Sequence, residues 1–379
     1  MSDVAIEVNE RENNPASSQY DRFVGLEHYV SGEVIIRNYG STENLESTMK
    51  VFRSGDILVA RRNVYLKRAS TVDFDGLTSG DSIVLRAKDP TIGRILPFVL
   101  NTDAFWDFAD QYSDGTMSKR LSPKTLMTYE FDLPEEDELE KFADILWAAN
   151  DTRESYQALL RQTDELVKSQ FIELFGDPIL NEKGWPSKSI KESAVRLSDG
   201  PFGSNLKSEH YSETGVRVIR LQNICEGYFL DDDKAYVSLE HYEKIKRYTC
   251  KSGEIIIGTL GEPNLRACII PEYIGYAINK ADCVHYIPNP EYLDTAFVVG
   301  FLNSPIVLNY ALGDAHGNTR QRISSGQISK MPIIIPPMEL QKQYAVIIQQ
   351  TDKSKFEIKK AIENTSALIK SLMQQDLTN

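Results

Sequence analysis

The sequence predicts an α+β fold: two tandem mixed α/β globules separated by two long antiparallel coiled-coil helices, arranged as a pseudo-twofold duplication. Three observations carry this. Two apolar-seamed stretches fall into register when shifted by 202 residues. The segments before each of them repeat the same strand and turn signals in the same order. A chain of 379 residues that is 41% hydrophobic has enough apolar material for two or three cores.

The helices come first. Under the shift, Leu133-Pro134 falls on Ile335-Pro336, Phe142 on Tyr344, Leu146 on Ile348, Leu160 on Ile362 and Val167 on Ile369. The a and d positions read Leu139, Phe142, Leu146, Ala149, Arg153, Tyr156, Leu160, Thr163 and Val167 in the first. In the second they read Tyr344, Ile348, Thr351, Lys355, Ile358, Ile362, Thr365, Ile369 and Leu372. A 3.5-residue seam marks a helix that packs along another helix. Two in one chain satisfy each other most simply when antiparallel, with Tyr156, Leu160 and Val167 expected to face Ile358, Ile362 and Ile369 in whatever antiparallel stagger the fold sets. A proline opens each stretch, which suits a first helical turn. The bland alternative, two unrelated surface helices, makes the in-frame match an accident.

The expected division is 1–132 for the first globule, 133–177 for a central helix, 178–335 for the second globule and 336–379 for a distal helix. In the first globule, Ser54-Gly55-Asp56 turns into the strand Ile57-Leu58-Val59-Ala60, and Ser79-Gly80-Asp81 precedes Ser82-Ile83-Val84-Leu85. Ile95 to Phe108 has helical spacing. The second globule echoes this. Ser252-Gly253-Glu254-Ile255-Ile256-Ile257 matches the first strand and its turn, and Val218 to Asn223 matches Phe23 to His28. The period is far too long for a solenoid, so duplication of one module is the natural reading.

Composition excludes several classes. No basic region followed by an apolar run opens the chain, and no apolar stretch is long enough to span a membrane, so a cytoplasmic protein is expected. Cys225, Cys250, Cys268 and Cys283 form no C-x-x-C pair, which leaves reduced, packed cysteines. The net charge is −13, but residues 132–177 hold thirteen acidic against four basic residues, so −9 of it lies on that stretch, around the expected central helix. The loops are therefore freer to meet an anion than the total suggests.

The chain resembles the specificity (S) subunit of type I restriction–modification systems. The residues carrying the likeness are Leu166-Val167-Lys168-Ser169-Gln170-Phe171-Ile172-Glu173-Leu174-Phe175-Gly176-Asp177-Pro178, similar to the end of that family's central spacer. They also include Ile333-Ile334-Ile335-Pro336-Pro337-Met338-Glu339-Leu340-Gln341, similar to the start of the distal spacer. Asp199-Gly200-Pro201-Phe202-Gly203-Ser204 resembles the opening loop of a target recognition domain. The first globule has no counterpart of that loop. The resemblance implies two target recognition domains reading a bipartite double-stranded DNA, with the helices as a ruler. It further implies two methyltransferase (M) subunits and restriction–translocation (R) subunits as partners in defence against phage. S-adenosylmethionine is then expected on the M subunit, and no cofactor or metal on this chain.

The residues agree. Asn289-Pro290-Glu291-Tyr292 is not the Asn-Pro-Pro-Tyr loop of an adenine methyltransferase, no phosphate-cradling G-x-x-x-x-G-K-[ST] is present, and the five histidines show no ligand spacing, so no catalytic residue is expected. Base reading in a duplex needs Arg, Lys, Asn and Gln on projecting loops. The first globule offers Arg61, Arg62, Asn63, Tyr65, Lys67, Arg68, Lys119 and Arg120. The second offers Asn318, Thr319, Arg320, Gln321 and Arg322, with Asn205, Lys207 and Arg220 as weaker candidates. Two other readings fit less well: a coiled-coil scaffold for protein partners without DNA binding, supported by the global acidity, and a self-contained methyltransferase, disfavoured by the absent motifs.

Overall fold

A computed structural model describes residues 1–115, 118–313 and 322–376. The chain divides into two compact units, Met1–Ala158 with Ile358–Asn379, and Leu159–Glu357. The division cuts both long helices instead of falling at their starts. Each unit is therefore a globule together with part of each helix.

The first unit builds two sheets. One is antiparallel, in the order Ala5–Glu7, Ser82–Ala87, Ile57–Ala60, Ala69–Thr71. Its central strand Ile57–Ala60 is buried throughout, as a run of four apolar residues requires. The other runs Arg11–Glu12, Met49–Phe52, Gly76–Thr78, Arg22–Val24, Gly40–Ser41, with Arg22–Val24 parallel to Gly76–Thr78. The second unit repeats the first sheet strand for strand: Ala194–Ser198, Cys283–Pro288, Ile255–Gly258, Ala267–Ile269. It also repeats the parallel pair, as Val216–Ile219 beside Tyr276–Asn279. Even the turn after the paired strand recurs. Gly25 donates its backbone N–H to His28 Nδ1, and Arg220 donates its own to Asn223 Oδ1, both at 2.9 Å.

The carboxylates of the two Ser-Gly turns are anchored alike by a neighbouring strand. Arg86 forks onto buried Asp56 at 2.7 and 2.8 Å. His285 Nε2 lies 2.7 Å from Glu254 Oε2. Burial holds the His285 imidazole below its usual range, against the opposing pull of Glu254.

The long helices run Leu139–Phe175 and Met338–Asp376. Neither expected proline lies inside its helix. Pro337 accepts the backbone N–H of Gln341 and so caps from outside, while Pro134 sits five residues ahead of Leu139. The central helix stops at Gly176, whose φ of +77° closes the last turn with a 2.8 Å bond from its N–H to the Ile172 carbonyl. The helix expected across Ile95 to Phe108 is two, Pro90–Val99 and Asp103–Gln111. Thr102 starts the second by accepting from Phe105 N–H at 3.2 Å.

Packing of the helices is clearest in the second unit. Phe171, Phe175, Phe297 and Tyr344 form one aromatic cluster, with ring centroids 4.8–5.7 Å apart. Lys355 pairs with Asp164. Tyr344 thus meets the end of the central helix and Lys355 an earlier turn, which is the antiparallel arrangement. Gly300 lets Tyr344 in, because a Cβ there would lie 2.6 Å from its hydroxyl oxygen. In the first unit, Phe142, Ala143 and Leu146 share a core with Met373, and Ile369 and Leu372 pack against it. Val167 packs against the second unit's core together with Ile348, and Ile369 against the first unit's. Leu146 and Ile358 are buried, whereas Tyr156, Leu160, Val167, Ile348, Ile362 and Ile369 are half-buried.

Phe175→Ala should lower the stability of the second unit by about 3–5 kcal/mol in urea unfolding, the usual loss for a buried aromatic. Leu166→Ala, at a position 53% exposed, should stay within about 0.5 kcal/mol of the parent. Equal midpoints for the two variants would mean that the aromatic cluster does not hold the unit.

Candidate nucleic-acid interface

In the first unit the chain leaves Ile57–Ala60 directly into Arg61-Arg62-Asn63. The backbone of Arg61 is clamped on both sides: its N–H donates to the Asp81 carbonyl at 2.9 Å, and its carbonyl accepts from Leu121 N–H at 2.8 Å. Asn63 adopts a left-handed φ of 57° and donates its N–H to the Lys119 carbonyl at 2.9 Å. Two candidate segments far apart in sequence are thereby brought together, with Arg62 bridged to Arg120. Their side chains converge on one carboxylate. Arg120 Nη2 donates to Asp81 Oδ1 at 2.6 Å, and Arg62 Nη1 lies 3.9 Å from Asp81 Oδ2. Ser118 links the same group, donating to Asn63 Oδ1 at 3.1 Å and accepting from Arg62 Nε at 3.4 Å.

The remaining first-unit candidates divide. Tyr65 is 67% exposed. Lys67 pairs with Asp103 at 3.0 Å and Lys119 with Asp110 at 2.6 Å. Arg61 turns its Nε inward to the Leu121 carbonyl. Arg68 directs both terminal nitrogens into the fold, onto the carbonyls of Leu26 and Arg62, and burial lowers its pKa. It braces the loop.

The second unit repeats the arrangement with a different residue at its centre. Thr259 stands where Arg61 stands. Its N–H donates to the Asp282 carbonyl at 3.0 Å, and its own carbonyl accepts from Ile323 N–H at 3.0 Å. Arg322 Nη2 lies 3.1 Å from Asp282 Oδ1. Asp81 and Asp282 thus hold Arg120 and Arg322 at matching positions of matching sheets. Asn318, Thr319, Arg320 and Gln321 lie outside the described residues.

Around Arg322 the second unit adds the loop 199–204. The guanidinium sits 5.8 Å from the centroid of the exposed Phe202 ring, and Ser325 Oγ donates to Asp199 Oδ2 at 2.5 Å. Gly200 is required here, since a Cβ would lie 2.2 Å from the Asn279 carbonyl oxygen. The first unit places the strand Arg11–Glu12, paired with Met49–Phe52, after the equivalent of Ala194–Ser198. Of the weaker candidates, Asn205 is exposed, with its carbonyl hydrogen-bonded to His241 Nε2 at 2.8 Å, and Lys207 lies 3.7 Å from Glu209. Arg220 forks onto Asp233 and packs near Tyr211, so it too supports the fold.

Sequence reading missed Asp81 and Asp282. Their signal was the acidic residue that precedes each edge-pairing strand, Ser82–Ala87 and Cys283–Pro288. No group of three metal-ligating side chains occurs among the described residues. Burial pushes the thiols of Cys250 and Cys268 up to about 12, which makes them packing groups rather than nucleophiles at neutral pH. No single helix among the described residues is long and apolar enough to cross a membrane.

Comparison with known proteins follows the same lines. Residues 204–365 match the type I restriction modification DNA specificity domain. The type I restriction enzyme MjaIX specificity subunit of Methanocaldococcus jannaschii is 21% identical over 338 residues, covering 83% of this chain and 74% of that protein. Two solved structures share the fold at a TM-score of 0.52. One is the type I restriction–modification S subunit from M. genitalium, 13% identical, covering 100% of this chain and 95% of that one. The other comes from work on complex assembly and conformational transition of the type I R-M system; it is 18% identical, covering 99% of this chain and 94% of that one. The resemblance to type I specificity subunits and the α+β class are thereby borne out.

Gly200→Ala should lower the melting midpoint of the second unit by several degrees, because the added methyl meets fixed backbone. Gly80→Ala, with nothing within 4 Å of its added Cβ, should leave melting unchanged. A Gly200→Ala protein as stable as the parent would show that the loop does not need this close approach.

Proposed function

We propose that this chain is the DNA-specificity subunit of a type I restriction–modification complex, reading one half of a bipartite duplex target with each globule. The observation that supports this most directly is the repeated ion pair: Arg120 on Asp81 and Arg322 on Asp282, at matching positions of the two units. A guanidinium fork suits guanine O6 and N7, and the neighbouring Arg62, Asn63, Tyr65 and Asn205 supply further polar and aromatic contacts. Two such readers on one chain need two half-sites.

The helices supply the spacing. At about 1.5 Å per residue, helices of 37 and 39 residues extend on the order of 55–60 Å. That exceeds one DNA turn of roughly 34 Å. In this reading they act as a ruler and as the platform for two methyltransferase subunits, which bring S-adenosylmethionine, and then for restriction subunits. The chain itself performs no chemistry. It works in the cytoplasm, where the DNA is.

Arg120→Ala and Arg322→Ala should each relax a different half of the methylated motif when the variant is assembled with its methyltransferase subunits. A lost bidentate base contact removes about 1–3 kcal/mol of discrimination. Methylome sequencing of cells carrying each variant reads both halves at once. If both variants altered the same half, the globules would not read separately. An unchanged motif with weakened binding and a salt slope lower by about one would make these arginines phosphate contacts. The same sequencing on Arg62→Ala and Arg320→Ala extends the assignment to the rest of each cluster.

A further inference from the structure

A carboxylate facing DNA repels phosphate, so Asp81 and Asp282 are costly to affinity. Both units nevertheless place one there, at the same position, on an exposed arginine. The structural duties at these positions belong to the backbone: the Asp81 carbonyl takes Arg61 N–H, and the Asp282 carbonyl takes Thr259 N–H. Among the described residues, the side chains meet the arginines. Asp81 accepts from Arg120 and attracts Arg62; Asp282 holds Arg322. All members stay reachable, with side chains 27% and 31% exposed for the acids and 48% and 43% for Arg120 and Arg322.

We propose that Asp81 and Asp282 are specificity-determining positioning residues, each holding its arginine away from the phosphate backbone until the correct base edge displaces it. This rests on the DNA-reading function above. An arginine paired with a carboxylate presents little net charge, so it draws little from the sequence-independent attraction that dominates non-specific binding. The pairing also fixes the direction of the fork. A guanine edge offers two neutral acceptors in the geometry the guanidinium needs and can share or take over the arginine, while a phosphate approaching the same arginine is repelled by the carboxylate beside it. A freed carboxylate can in turn accept from a cytosine amino group. Discrimination thus comes from the penalty on wrong contacts as much as from the right one.

The test uses Asp81→Asn and Asp282→Asn in the full chain assembled with its methyltransferase subunits. Asparagine keeps the shape and removes the charge, and a thermal melt checks that each variant is folded. For Asp81→Asn, affinity for a random duplex should rise several-fold and the salt slope for that duplex should steepen by about one unit. The ratio of target to random binding should fall about tenfold, and methylome sequencing should show degeneracy confined to one half of the motif. Asp282→Asn should do the same to the other half. Asp110→Asn, which frees Lys119 on the same surface without touching the fork, should leave the motif intact. Unchanged specificity and slope in both fork variants would overturn the proposal, as would loss of target affinity with no gain on random DNA. If Arg120→Ala and Arg322→Ala also left the motif unchanged, target reading itself would fall, and the latch with it. If they relaxed the motif while the Asp variants did not, the latch alone would fail.

Discussion

Neither long helix can bury its apolar seam alone, and the structure depends on how that need is met. In the second unit Phe171 and Phe175 pack on Tyr344 and Phe297. In the first, Leu146 shares a core with Met373. Each globule's core therefore contains side chains from both helices. A globule seated this way cannot drift along its helices without opening its own core. Arg61-Arg62-Asn63 inherits that fixity, because it follows directly from Ile57–Ala60, whose Ile57 and Val59 pack in the same core.

The middle of the helices is built differently. Asn150 is fully buried and accepts from Arg153 at 2.7 Å, while donating to Glu154 at 2.9 Å. Desolvation lowers the Arg153 pKa, and Lys355 is tied to Asp164. Polar groups at seam positions cost stability and define register. The half-buried Tyr156, Leu160 and Ile362 fit this weaker stretch. The two cations that interrupt the seam in the sequence each meet a partner on a helix, while the buried Nε of Arg153 is left without one.

Much of this was legible in the sequence, and the reasons are physical. The seam period gave the helices, and the repeated Ser-Gly-acid turn before an apolar run gave Ile57–Ala60 and Ile255–Gly258. The meeting of Arg62 with Arg120 was not legible, since it depends on backbone bonds between segments nearly sixty residues apart. Nor was the inward use of Arg68 and Arg220: a cation on a loop looks the same in sequence whether it faces DNA or a carbonyl. The break at Thr102 was hidden because apolar spacing continues across it while the capping hydroxyl interrupts the helix.

The central claim is that one chain carries two independent readers of one duplex. Methylome sequencing of a host carrying the unaltered chain with its methyltransferase subunits tests it most directly. The account predicts a motif of two defined halves separated by a fixed run of unspecified bases. A continuous motif, or a single defined half, would contradict it.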